Sequence, residues 1–282
     1  MCRRGPRASL WALHHPFPNK PLYMLYYTTT GTANQPPTCF LHGFMGSTSD
    51  WTQITDALSS NAYCIAVDLP GHGRSVQRPG YEYTMEGATQ ALADVLDDVG
   101  VQRCHLVGYS MGGRAALYFA VHHPDRVRSL VLESSSPGLT SSEDRASRRD
   151  VDAERARRIR DDFPAFLEDW YRIPLFESLD RHDLVQAMIE KRSSNDPDEL
   201  ARALVGLSVG AQPSLWERLK DLDIPTLACT GELDEKYVEI SRFMAIGSRR
   251  METVIFPDAG HNVHAERPQA FLSQLVRFHA EN

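Results

Sequence analysis

The chain has 282 residues, enough for one large α/β domain or two small ones. With 42% hydrophobic and 24% charged residues it reads as an ordinary globule, and a net charge of −7 argues against a nucleic-acid partner, which would want a basic face. Any anionic ligand must be attracted by local arginines, because lysine occurs only at Lys20, Lys191, Lys220 and Lys236.

In chain order, residues 1–22 are basic without an apolar run of secretory length, and are expected to form an N-terminal extension. No segment has the length to span a bilayer. The short apolar run at 38–42 ends at Gly43, the pattern of a buried strand, and a helix is expected over 50–60 with Ser49 or Asp50 as cap. A second strand at 62–67 closes on the turn-rich Asp68-Leu69-Pro70-Gly71-His72-Gly73. Helical spacing runs over 85–99, strands are expected at 104–108 and 127–132, and a helix at 114–122 separates them. After a long interruption come strands at 224–229 and 253–256 and helices at 238–245 and 268–279.

Such alternation implies an α/β fold, a mostly parallel central sheet flanked by helices. The interruption, 137–222, is polar, arginine-rich and helical in period. It is expected to be a helical cap inserted between two core segments, 23–136 and 223–282. Cys39, Cys64, Cys104 and Cys229 lie inside predicted strands as small hydrophobes, with no disulfide or metal spacing. A reducing, cytoplasmic location is the corresponding expectation.

The run Leu106-Val107-Gly108-Tyr109-Ser110-Met111-Gly112-Gly113-Arg114 joins a predicted strand to a predicted helix through Gly-x-Ser-x-Gly. A strand turning sharply into a helix around a serine is a nucleophile elbow. Serine at its free pKa is a weak nucleophile or base, and needs a histidine oriented by a carboxylate. In this arrangement both follow the serine, on loops just past later strands. Asp234, in Gly231-Glu232-Leu233-Asp234, is the candidate acid and His261, in Asp258-Ala259-Gly260-His261, the candidate base. Glu133, after the fourth strand, is the rival acid. The backbone amides of Met111 and of Phe44, in His42-Gly43-Phe44-Met45-Gly46, are candidate oxyanion donors. His42, His72, Asp68 and Arg74 are expected to shape loops, and His264 to help cap the closing helix. Histidines and carboxylates lack metal-ligand spacing, so neither a metal nor another cofactor is expected.

With these residues laid out, the chain resembles the α/β-hydrolase superfamily along nearly its whole length. Within it, the chain is similar to the 2-succinyl-6-hydroxy-2,4-cyclohexadiene-1-carboxylate synthases of menaquinone and phylloquinone biosynthesis. Leu41-His42-Gly43-Phe44-Met45-Gly46-Ser47 with Asp50-Trp51, the elbow with Arg114, and Gly260-His261-Asn262 carry the likeness. So do Asp169-Trp170-Tyr171, Pro174-Leu175-Phe176 and Lys191-Arg192-Ser193-Ser194-Asn195 in the expected cap. The resemblance implies a lyase that eliminates pyruvate from a small cyclohexene polycarboxylate, the serine acting as a base without an acyl-enzyme. It also implies substrate contacts from Tyr109, Arg114, Trp170, Arg192 and a further cap arginine, best matched by Arg148, with Arg145 and Arg149 nearby. Arginine suits planar carboxylates bidentately, which agrees with a polyanionic substrate. The alternative is a serine carboxylesterase or thioesterase working through an acyl-enzyme; a binding protein on the same fold would have no use for an intact Ser110, Asp234 and His261.

Overall fold

The computed structural model describes residues 24–76 and 83–282; the extension expected at 1–22 lies outside them. The described residues form seven strands: β1 (Tyr27–Thr30), β2 (Pro37–Leu41), β3 (Tyr63–Val67), β4 (Cys104–Tyr109), β5 (Val127–Glu133), β6 (Thr226–Gly231) and β7 (Met251–Phe256). They make one sheet in the order β1-β3-β2-β4-β5-β6-β7, in which β1 runs antiparallel to β3 and all other neighbours are parallel. The helices are α1 (Thr52–Leu58), α2 (Met85–Asp98), α3 (Met111–His122), α4 (Ser142–Asp161), α5 (Phe163–Tyr171), α6 (Glu177–Arg181), α7 (Val185–Arg192), α8 (Pro197–Gly206), α9 (Glu235–Gly247), α10 (Val263–Glu266) and α11 (Pro268–Glu281). This is an α/β-hydrolase fold.

Side-chain alternation divides each inner strand between two cores. Leu41, Leu106 and Leu132 face the layer of α2 and α3, whereas Phe40, Val107 and Val131 face α1 and α11. Both faces are therefore covered, which is why these strands read as continuous apolar runs. The largest buried side chains, Trp51, Phe40, Phe119 and Phe271, are divided between the two layers, and truncating such a ring costs about 3–5 kcal/mol. A third cluster, including Phe166, Leu179 and Leu200, is built mainly from α4–α8, the helices that separate β5 from β6 in the chain, and takes in Met45 from the loop after β2.

Three departures from the sequence reading have local causes. β1, Tyr27-Thr28-Thr29-Thr30, carries no apolar alternation; pairing with β3 at the sheet edge forms it. β6 begins two residues later than expected because Pro225 has no N–H for the ladder, although its carbonyl still accepts from Leu130. α3 begins at Met111, ahead of the expected 114, with Gly112 and Gly113 inside its first turn.

Those glycines are there for closeness. A Cβ on Gly112 would stand 2.4 Å from the carbonyl oxygens of both Leu41 and His42, and one on Gly108 would stand 2.5 Å from the Gly112 oxygen. The elbow thus packs backbone to backbone against the end of β2. β2 and β4 are sheet neighbours although β3 lies between them in sequence, so their carboxyl ends flank a topological switch point, where open α/β sheets bind ligands. Gly112→Ala should destabilise the protein by about 1–3 kcal/mol. Urea denaturation checks this; an unchanged midpoint would show that the elbow tolerates separation from β2.

Candidate active site

Ser110 stands between β4 and α3 with φ +50° and ψ −109°, in the left-handed half of backbone space that a residue with a Cβ rarely occupies. Such a conformation costs about 1–3 kcal/mol and persists only where its surroundings impose it. They do so here through the Ser110 amide, which donates to the Glu133 carbonyl at 2.8 Å, and through the close glycine packing.

The structure brings Ser110, His261 and Asp234 together. The His261 Nδ1–H donates to Asp234 Oδ2 at 2.6 Å, which leaves Nε2 to accept from the Ser110 hydroxyl at 3.0 Å. Asp234 Oδ1 accepts from the Tyr237 amide as the N-cap of α9, so one carboxylate orients both the helix and the imidazole. The His261 ring is boxed by Tyr237, Tyr109 and Phe176, with centroids at 4.7, 5.5 and 5.8 Å. Glu133, the rival acid, is occupied elsewhere: it accepts from the His264 amide at 2.9 Å and from His264 Nδ1 at 2.7 Å. This corrects the capping role expected of His264, whose ring also stacks on Trp51 at 4.2 Å. The distant pairing of Glu133 with His264 has no local signature in the sequence.

The amide of Met111 opens α3, and Phe44 follows β2 across the switch point; both residues line the same cavity as Ser110. No backbone acceptor among the described residues takes either amide. His42 fixes the Phe44 loop from inside, donating through Nδ1 to the Gly43 carbonyl at 2.7 Å and accepting at Nε2 from the Leu69 amide at 2.9 Å. Asp68 accepts from the amides of Thr48 and Arg74 at 2.6 and 2.8 Å, which is the loop-shaping part the sequence assigned to it.

The cavity is about 460 Å³ and collects every candidate side chain: Tyr109, Ser110, Arg114, Arg148, Trp170, Arg192, Asp234 and His261. Trp170 packs edge-on against Phe44 at 5.6 Å, joining the α5 wall to the proposed oxyanion loop. Of the neighbouring arginines, Arg148 reaches the cavity, whereas Arg145 donates to the carbonyls of Leu139 and Thr140 and Arg149 to that of Gly210. Two further cations line it that the sequence reading did not select, Arg155 and Lys236. Arg155 was legible in principle, since 148, 152 and 155 share one face of α4.

These cations differ in what neutralises them. Arg192 Nη1 lies 2.6 Å from Asp50 Oδ1 with both side chains buried. Burial alone would raise the Asp50 carboxyl, but the adjacent Arg192 guanidinium outweighs it and holds the group at about 2. Arg148 and Arg155 share one buried carboxylate, Asp152, at 2.9 and 3.2 Å. Arg114 has no carboxylate within ion-pair distance among the described residues; its guanidinium donates to Gln212 Oε1 and the Leu207 carbonyl, each at 2.8 Å. Burial lowers its pKa to about 10, so it remains a cation at neutral pH.

The Lys191–Asn195 motif is also a clamp between α7 and the loop after β2. Arg192 pairs with Asp50, Lys191 donates to the Ser49 carbonyl at 3.1 Å, and Asn195 Nδ2 to the Met45 carbonyl at 2.9 Å. Met45 itself has φ +63°, so the clamp falls on the strained residue beside Phe44.

The family described by the α/β hydrolase fold matches residues 36–268. A Bacillus subtilis (strain 168) protein provisionally named 2-succinyl-6-hydroxy-2,4-cyclohexadiene-1-carboxylate synthase is 39% identical over 244 residues, covering 84% of this chain and 88% of that one. The synthase of that name from Serratia proteamaculans (strain 568) is 34% identical over 250 residues, covering 88% and 94%. The solved structure of MenH from S. aureus superposes with a TM-score of 0.86 at 32% identity, covering 90% and 98%. The chain belongs to this synthase family of α/β hydrolases.

Two measurements follow from the geometry. Ser110→Ala, His261→Ala and Asp234→Asn should each lower kcat by about 10³-fold or more and combine far less than additively, because the groups act as a unit. Additive losses in the double variants would separate them. Asp50→Asn should cost about 3–5 kcal/mol by leaving Arg192 buried without an anion. Because the folded pKa of Asp50 lies below its ordinary 3.8, its contribution is complete above that value and is lost as pH falls through about 2. Urea titrations of both proteins across that window should converge toward the acid end.

Proposed function

We propose that this chain is a carbon–oxygen lyase that converts 2-succinyl-5-enolpyruvyl-6-hydroxy-3-cyclohexene-1-carboxylate into 2-succinyl-6-hydroxy-2,4-cyclohexadiene-1-carboxylate and pyruvate, in menaquinone or phylloquinone biosynthesis. One observation carries the reading beyond family membership: a chain of net charge −7 places unpaired positive charge against a Ser–His pair. The substrate bears a carboxylate on the ring, one on the succinyl arm and one on the enolpyruvyl group.

The ring carbon next to the succinyl ketone carries the acidic proton. Ser110 Oγ takes that proton while its own passes to His261 Nε2, and Asp234 stabilises the imidazolium that forms. The C–H electron pair becomes a ring double bond, the existing double bond shifts along the ring, and the C–O bond to enolpyruvate breaks. The departing enolate is protonated and tautomerises to pyruvate. Negative charge developing on the ketone oxygen is met by the amides of Phe44 and Met111, donors already oriented before reaction. Arg114 holds a carboxylate, with Tyr109 and Trp170 as walls and Arg148 on the far side. Arg192 serves the site chiefly through its hold on Asp50.

We also propose that the 137–222 segment acts as a cap over the two core segments, since Arg148, Trp170 and Arg192 reach the cavity from it. A cytoplasmic location is supported by the free thiols of Cys39, Cys64, Cys104 and Cys229. No helix among the described residues is long and apolar enough to cross a membrane.

Purified protein should release pyruvate from the cyclohexene substrate, read by coupled reduction of the product. Arg114→Ala should lower kcat/KM by about ten- to a hundredfold, with losses in both constants, because a carboxylate without its guanidinium misplaces the labile proton. Rapid turnover of simple aryl esters without pyruvate release would favour the esterase reading, in which Ser110 is acylated. Near-normal kinetics for Arg114→Ala would remove the electrostatic case for the lyase.

A further inference from the structure

Resting on the pyruvate-eliminating reading, we propose that Lys236 is a substrate-specificity residue that holds one carboxylate of the polyanion at the mouth of the cavity. Sorting the cavity cations by counter-ion leads to it. Arg192 pairs with Asp50, which Lys191 also approaches at 3.5 Å from outside the cavity, and Arg148 and Arg155 divide the single charge of Asp152 between them. Arg114 and Lys236 remain, neither with a carboxylate partner among the described residues. Leaving aside the Arg192–Lys191 pair on Asp50, whose lysine lies outside the cavity, the cavity lining presents three cationic centres: Arg114, the Arg148–Arg155 pair on α4, and Lys236. The substrate has the same number of carboxylates.

The placement of Lys236 fits the role. It lies two residues beyond Asp234 in the first turn of α9, so the residue that orients His261 also anchors the backbone that carries the lysine. Its ammonium stands 5.8 Å from the centre of the Tyr237 ring, and that ring faces His261 at 4.7 Å. The side chain is exposed while still lining the cavity, as a rim contact must be.

Steady-state pyruvate release should be compared for wild type, Lys236→Met, Lys236→Arg, Lys236→Glu and Lys220→Met. Lys220 is exposed and outside the cavity, so its replacement removes the same charge elsewhere. Lys236→Met should raise KM about three- to tenfold with kcat within about twofold, Lys236→Glu should raise KM further, and Lys236→Arg should recover most of the loss. The dependence of kcat/KM on ionic strength should flatten in Lys236→Met and be unaltered in Lys220→Met. Unchanged KM and salt dependence in both Lys236→Met and Lys236→Glu would overturn the inference, as would a fall confined to kcat, which would mark a disturbance of Asp234 alone. If wild type releases no pyruvate, the underlying lyase reading fails and the inference falls with it.

Discussion

Arg114 is a half-buried guanidinium in an acidic protein, held by two neutral oxygens. Desolvating such a charge costs several kcal/mol, and charge–dipole contacts return only part of that. The rest of the site follows from how this cation is kept in place. It is fixed to α3, one turn beyond Ser110, so its distance from the serine is set by the most tightly packed piece of backbone in the fold. Its acceptors, Leu207 and Gln212, come from the segment after α8. The elbow and the inserted helices must therefore be docked before Arg114 is stable, and a docked pair leaves it facing the cavity.

The same coupling recurs on the other side of the cavity. The Phe44 loop, whose amide is proposed to act with that of Met111, contains Met45 at φ +63°, a conformation that its surroundings impose. His42 braces it from the sheet side and Asn195 from the turn after α7, each through a backbone carbonyl. The Arg192–Asp50 pair lies at the base of this brace. As a buried ion pair it contributes little net stability compared with an apolar contact, but it fixes orientation, since a displaced guanidinium would leave both charges unpaired. A residue that the family resemblance marked for substrate is thus, on geometry, equally a fastener.

What the sequence revealed and what it hid divide along the same line. The elbow, the strands leading to it and the loops bearing Asp234 and His261 were legible because each is a short contiguous pattern: an apolar run, then glycines or a turn, then a polar side chain. Arg148 is matched through the resemblance alone, because α4 is so rich in arginine that no periodicity singles one out; the cavity lining separates it from Arg145 and Arg149 in three dimensions. Glu133 and His264 are 131 residues apart in sequence, and only the adjacency of β5 and α10 explains why one is not the catalytic acid and the other not a cap. β1 escaped because its formation depends on a neighbour, β3, and not on its own alternation. Lys236 escaped for a different reason: an exposed lysine becomes informative only when the counter-ions of every other cation in the cavity are known.

Whether Ser110 acts as a base or as a nucleophile is not decided by the triad, which is the same in both chemistries. It is decided by which atom the cavity holds against Oγ. In the proposed substrate one carboxylate sits on the ring and two on rotatable arms, so engaging Arg114 and the Arg148–Arg155 pair together would restrict arms and ring at once and bring one C–H bond to the serine. The interaction energy of remote charges is thereby converted into orientation at the reacting carbon. A neutral ester gains nothing from those contacts, and by covering Arg114 without supplying an anion it deepens the desolvation of a cation that already lacks one. Selection for the polyanion therefore operates as much through a penalty on the wrong ligand as through attraction for the right one.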